Sequence, residues 1–328
     1  MSAGLYGPWS DQGRRTWGAA AIALVVIGYL LSSFPLVIGI GVFTAVHQAQ
    51  SDADPAVALQ AATLPVLMPL LLAQFAVWTA MTLGWAALFE RRGLASLGLG
   101  LSAGAIVRYA LGLGFGVALL VIIAVLAGLL GDIENAGGAM DLAAEATPGG
   151  LAEAFGRPAV LAALTFAALV FLIQGGSEEV VFRGWLMSTL AARWGMRAAV
   201  IVSSLAFMLF HVHVFVSGLW FGIAALAGIG MMGLVFALLA LLTRTVWEAV
   251  AAHGAFNAAA VILPTAGLLA GDPNLDVSVA FARVFESATG MAGPDAASFG
   301  PETFAQALGA GIVAAVLAVW VVRRGGRA

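Results

Sequence analysis

The sequence has no cysteine, which excludes structural disulfides and thiolate metal sites. It has no lysine either: its basic residues are all arginine, a usage that suits a GC-rich bacterial genome. Charge of either sign is scarce. Only 9% of the 328 residues are charged, against about 25% in soluble domains. A net charge of -3 without a basic tail gives no support to a nucleic-acid partner. Apolar residues fill the space, with 62% hydrophobic residues and a mean hydropathy of +1.03. These values describe an integral membrane protein. No internal repeat and no separate soluble domain stand out, so residues 1–328 read as one integral membrane domain.

Eight apolar segments are long enough to span, at about 20 residues each. They cover 17–46, 62–89, 103–130, 158–176 (continuing to 193), 198–216, 219–242, 245–270 and 304–322. The expected fold class is therefore all-α, a polytopic membrane helix bundle. Arg14 and Arg15 before the first segment faintly resemble a twin-arginine signal. That apolar run far exceeds a signal h-region of about 7–15 residues, so it is expected to be the first membrane helix.

Arginine placement sets an orientation. Arg14, Arg15, Arg91, Arg92, Arg193, Arg197, Arg244, Arg323, Arg324 and Arg327 fall on one side, and Arg108 leans the same way. Arg157 and Arg283 fall on the other, where the loops are acidic (Asp52, Asp54, Asp132, Glu134, Asp272, Asp276). The positive-inside rule then predicts that both termini are cytoplasmic, in a multi-pass protein of a bacterial inner (plasma) membrane. The stretch from Glu90 to Leu99 mixes charge and apolar residues and is expected along the cytoplasmic interface. The outer loops, 131–157 and 271–303, are rich in glycine, alanine and acids; a short amphipathic helix is expected over 277–285.

One apolar run breaks the pattern. Gly175-Gly176-Ser177-Glu178-Glu179-Val180-Val181-Phe182-Arg183 places three ionisable side chains in a span. Each would cost about 2.5–3.5 kcal/mol at mid-bilayer. At about 100° per residue, Glu179 and Arg183 share a face and can pair. Glu178 points about 100° away from Glu179. The simplest reading is one neutralised pair and one carboxylate left for another task.

Histidines complete a polar constellation. His211 follows Phe207 by four residues, and His253 precedes Asn257 by four, so each pair shares a helix face. Glu178 lies about 22 Å from Arg193 along an ideal helix, His211 about 21 Å from Arg197, and His253 about 13 Å from Arg244. All are inside a core about 30 Å thick, where ionisable groups mark a functional site. A tilt or a break near Gly175-Gly176 would reconcile the depths. His213, about 160° from His211 on a helix, reads as a packing residue, and Glu248 as the ion-pair partner of Arg244. Glycines such as Gly112, Gly116, Gly228 and Gly233 read as close helix contacts.

Glu178-Glu179-x-x-x-Arg183, Phe207-x-x-x-His211 and His253-x-x-x-Asn257, in this order on successive spans, resemble the CPBP family of intramembrane glutamic proteases. That family includes the type II CAAX prenyl endopeptidases and bacteriocin-processing and abortive-infection (Abi-like) proteins. The resemblance covers 178–257, within a catalytic core expected over 158–270. It implies a metal-independent endopeptidase in which Glu178 and His211 activate water and His253 and Asn257 stabilise the oxyanion. Glu179, Arg183 and Phe207 give structural support. It also implies a membrane-associated peptide or protein as substrate, no cofactor, and a cavity open to the cytoplasm.

Other readings stay open at this point. A zinc metallopeptidase could use the Glu and His side chains, although no His-Glu-x-x-His is present. Ser177 could serve a rhomboid-like serine protease. A non-proteolytic membrane protein could use the same groups as a proton-coupled transporter or an immunity or scaffold protein.

Overall fold

The computed structural model describes residues 4–7, 9, 13–50, 58, 61–130, 147–289 and 301–325. The loop acids at 52, 54, 132, 134, 141, 145 and 295 lie outside the described residues. The described residues are 87% helical, and no strand occurs among them. This follows from the bilayer, where only a helix satisfies all its backbone polar groups within one segment.

Among the described residues, eleven α-helices make the bundle. They are α1 (Gly18–Gln50), α2 (Met68–Leu88, entered through a π-helical turn Thr63–Leu67), α3 (Ala103–Leu130), α4 (Pro148–Gly156) and α5 (Pro158–Glu179). Next come α6 (Met187–Trp194), α7 (Met196–Leu209), α8 (Leu219–Thr243), α9 (Trp247–Gly271), α10 (Val277–Thr289) and α11 (Ala305–Gly325). A π-helical segment, Val180–Leu186, joins α5 to α6 into one rod. Among the described residues, seven helical stretches are long and apolar enough to cross a membrane, and the chain is a multi-pass membrane protein. Large apolar side chains face outward along them, such as Leu30, Phe34 and Val37 on α1 and Val121, Val125 and Leu129 on α3.

The fifth expected segment, 198–216, is shorter than its sequence suggests. α7 stops at Leu209 after 14 residues, about 21 Å of helix, less than the bilayer core. His211 takes a non-helical backbone, a 3-10 turn covers Val212–Ser217, and Gly218 at φ 108° turns the chain into α8. The amphipathic helix expected over 277–285 is present as α10, extended to Thr289.

Central α9 packs on α3 and α5, α8 packs on α11 and α7, and α2 packs on both α1 and α5. Small residues allow this. Gly175 meets Gly254, where an added Cβ would lie 2.8 Å from the Gly254 nitrogen. Gly112 and Gly116 press on the α9 backbone at Glu248 and Ala252. The glycine pair therefore brings α5 against α9 without breaking α5; the departure from α-helix lies just after the two glutamates.

The arginines gather at one end. Arg193 donates to the Arg15 and Thr16 carbonyls, Arg244 to Leu5 and Arg324 to Leu242. At the other end Arg157 donates to the Leu269 and Pro273 carbonyls. The stretch from Glu90 to Leu99 does not simply lie along an interface. Glu90, Arg92, Ser96 and Leu97 are buried. Arg92 pairs with Glu90 at 3.3 Å, donates to Ser188 and Thr189, and stacks on Trp9 at 3.9 Å. These partners replace the water that the charges would otherwise need.

Glu248 pairs with Arg108 of α3 at 3.0 Å, not with Arg244. Arg244 sits in the left-handed turn that caps α8 and reaches Leu5 instead.

Candidate active site

Glu178 and Glu179 end α5 and divide as helix geometry requires. Glu179 and Arg183 are both fully buried and pair at 2.7 Å. Arg183 also donates to the Gly233 carbonyl at 2.7 Å and lies 4.5 Å over the Phe207 ring. An arginine held by carboxylate, carbonyl and aromatic face is well matched to its planar guanidinium.

His253 joins the two carboxylates. Its Nδ1 donates to Glu179 Oε1 at 2.9 Å, and its Nε2 stands 3.9 Å from Glu178 Oε2. The ring stacks on Phe236 at 4.8 Å. Glu178 Oε1 accepts from Gln174 Nε2. Glu178 Oε2 is buried and has no hydrogen-bond partner among the described residues. Such an atom is costly unless something else meets it.

Asn257 reaches the same place by another path. Its Nδ2 donates to Gln174 Oε1 at 2.9 Å. Gln174 thus accepts from Asn257 and donates to Glu178, and both ends of its amide are fixed. The sequence reading missed Gln174. It sits one turn before Glu178 on the face that meets α9, and that spacing was the available signal.

His211 lies at the end of α7. Its Nδ1 donates to the Phe207 carbonyl at 2.9 Å, which leaves Nε2 of a neutral ring as the acceptor. Phe207 packs edge-on to His253 at 5.6 Å and beside His211 at 4.9 Å. His213 does not point away from His211, because the helix has already ended. Their rings are 5.9 Å apart.

Glu178, His211, His213, His253, Asn257 and Gln174 all line one cavity of about 520 Å³. The rest of its wall is largely aromatic and aliphatic, including Trp78, Phe171 and Phe285. Ser177 is buried and does not line it. Among the described residues, no three His, Cys, Asp or Glu side chains converge as metal ligands.

Residues 160–259 match the family model described as type II CAAX prenyl endopeptidase Rce1-like. The chain carries an Rce1-like domain of the CPBP family. No curated protein and no solved structure matches the chain. The Rce1-like segment runs from the start of α5 to the middle of α9, so it contains every residue of the three motifs. The family is one of proteases, and its place here is in a multi-pass helical membrane bundle. Helices α1, α2, α10 and α11 lie outside the Rce1-like segment, yet they contribute to the cavity wall through Tyr29, Trp78, Phe285 and Gln306.

Proposed function

We propose that the chain is an intramembrane glutamic endopeptidase that hydrolyses a peptide bond of a membrane-associated substrate. The observation that carries this reading is Glu178 Oε2, a buried carboxylate oxygen with no hydrogen-bond partner among the described residues, 3.9 Å from His253 Nε2 where both residues line the cavity. A gap of 3.9 Å is too long for a direct hydrogen bond and suits a bridging water.

In this mechanism Glu178 takes a proton from water as its oxygen attacks the scissile carbonyl carbon. His211 Nε2 is an acceptor facing the same cavity and helps to hold the water. The tetrahedral oxyanion receives hydrogen bonds from Asn257 Nδ2 and from His253 Nε2, the latter a donor only with the ring in its imidazolium form because Nδ1 already donates to Glu179; each donor is worth about 3–4 kcal/mol. Glu178 then returns the proton to the leaving amine as the C–N bond breaks. Glu179 and Arg183 hold His253 in place from behind. No cofactor takes part. The substrate is an apolar peptide segment at the membrane; a prenylated CAAX protein, as in the family description, is one such class.

The test is cleavage of a library of membrane-protein C-termini and leader peptides by purified protein in detergent. Glu178→Gln and His211→Ala should lose activity by about 10²–10⁴-fold. Ser177→Ala and EDTA treatment should leave it intact. Loss in EDTA restored by zinc would replace this mechanism with a metal-dependent one. Loss in Ser177→Ala would replace it with a serine mechanism. If Glu178→Gln cleaved as well as the unsubstituted protein, the glutamic reading would be wrong.

A further inference from the structure

A second buried polar group lines the cavity, on a helix that the proposed mechanism does not use. Gln74 lies in α2 and is 2% exposed. Its Nε2 donates to Ser33 Oγ of α1 at 2.8 Å, and Ser33 Oγ donates in turn to the Tyr29 carbonyl at 2.8 Å. With its one proton on that carbonyl, the serine hydroxyl accepts from the amide, so the amide atom turned to α1 is the nitrogen. The amide also meets the Tyr29 hydroxyl as a donor. Oε1 is left buried, with no hydrogen-bond partner among the described residues. A buried acceptor in an apolar wall is costly unless something meets it.

Gln74 stands level with Glu178. α2 and α5 run in the same direction: Met68, at the start of α2, clusters with Ala167 and Val170, and Trp78 meets Phe182 at 5.7 Å further along. Gln74 lies between these contacts on α2, as Gln174 and Glu178 do on α5, and all three line the cavity. The two glutamines differ in one respect. Gln174 has both ends of its amide engaged within the protein, whereas Gln74 has its nitrogen engaged and its oxygen free. Trp78 Nε1 also lacks a partner, but it abuts α1, where a Cβ added to Gly28 would lie 3.2 Å from it.

We infer that Gln74 Oε1 accepts a backbone N–H of a peptide bound in the cavity and so fixes the register of that peptide beside Glu178. An extended peptide presents N–H groups whatever its side chains, and burying one among Leu71, Phe75 and Trp78 requires an acceptor. The amide is neutral, and α1 holds it from behind, so it is a fixed acceptor with no charge to select an ammonium group. The ligand class is a peptide that keeps its N–H at one point near Glu178; proline is refused there, because it has no N–H. That this peptide is a substrate rests on the proteolytic reading; that it binds at Gln74 does not.

The test is binding and needs no cleavage. Dye-labelled peptides of the membrane-protein library are titrated with the full chain carrying Glu178→Gln, which stops turnover, and read by fluorescence anisotropy in detergent. The tightest binder is then remade with one backbone nitrogen N-methylated at a time. One position should lose about tenfold or more in affinity. Adding Gln74→Leu should erase that penalty and leave the penalties elsewhere unchanged. Ser33→Ala keeps the acceptor and frees only the amide nitrogen; it should reduce the penalty at the same position alone, and it carries the test if Gln74→Leu does not fold. Penalties that are equal with and without the substitution overturn the inference and leave Oε1 to a water. So does a library in which no peptide binds. If Gln74→Leu instead erases the effect of replacing a peptide serine or threonine by alanine, the acceptor reads a hydroxyl and the backbone assignment is overturned. Cleavage by the unsubstituted chain is scored separately. Peptides bound through Gln74 but never cleaved refute the proteolytic reading alone, and peptides cleaved without any Gln74-dependent penalty refute this inference alone.

Discussion

His253 Nδ1 lies 2.9 Å from Glu179 Oε1, and this bond decides what its other nitrogen can do. With Nδ1 engaged behind the site, Nε2 is held toward Glu178 Oε2. The two adjacent glutamates therefore reach one imidazole from its two sides, one as an anchor and one across a gap that fits water.

Glu178→Gln and Glu179→Gln should differ in stability. Glutamine at 178 keeps an acceptor for Gln174 and removes only the long 3.9 Å contact to His253, so thermal unfolding in detergent should stay near the parent value. Glutamine at 179 leaves the fully buried Arg183 without its counter-charge, a loss of about 3–5 kcal/mol. Equal melting of the two variants would contradict the division of labour.

Gln174→Ala tests the amide bridge. It frees the Glu178 carboxylate and the Asn257 amide together, so kcat should fall about tenfold or more for about 1.4 kcal/mol of lost positioning, with KM and the melting temperature little changed. An unchanged kcat would mean that the bridge positions nothing needed in the transition state.

Gly254→Ala should separate α5 from α9. Its Cβ would meet the Leu172 Cα at 2.7 Å, and overpacking of this kind costs about 1–3 kcal/mol. Gly41→Ala is the control: nothing lies within 4 Å of its added Cβ, so it should melt at or above the parent temperature, as expected for alanine in a helix.

Arg92→Met should destabilise strongly, because Glu90 is left charged and buried. The double variant Glu90→Gln, Arg92→Met should recover part of that loss, since removing both members of a buried pair is far less harmful than removing one. A double variant less stable than the single would show that the Glu90 carboxylate is worth more to its other partner, the Trp185 indole, than its stranded charge costs.

A double-mutant cycle separates the two candidate partners of Glu248. Arg108 and Glu248 should couple by about 0.2–1 kcal/mol, since the Arg108 side chain is 42% exposed. Arg244 and Glu248 should show no coupling.

Spacing within one helix was readable: Glu179 with Arg183, and His253 and Asn257 on one face, follow from a separation of four residues. Composition was readable too, and so was the amphipathic α10. Contacts between helices were not. Gln174 carries no charge to draw attention, and its role appears only when α9 brings Asn257 beside it. Glu248 finds Arg108 because Gly112 and Gly116 draw α3 onto α9, a partner 140 positions away. Arg92 looked like a surface residue because its companions Trp9, Ser188 and Thr189 are scattered along the chain. His213 was misplaced because a helix phase was extended past the residue where the helix ends.

The π-helical segment from Val180 to Leu186 has a consequence for how this chain can vary. A π turn accommodates about one residue more than an α turn, so the rod behaves as if one residue had been spliced in just after the glutamates. Winding the same residues at uniform α pitch would rotate everything beyond them by about 100°. Ser188 and Thr189 would swing off Arg92 while Glu178 kept its place. The pitch of 180–186 thus sets the register between the two glutamates and the partners of Arg92.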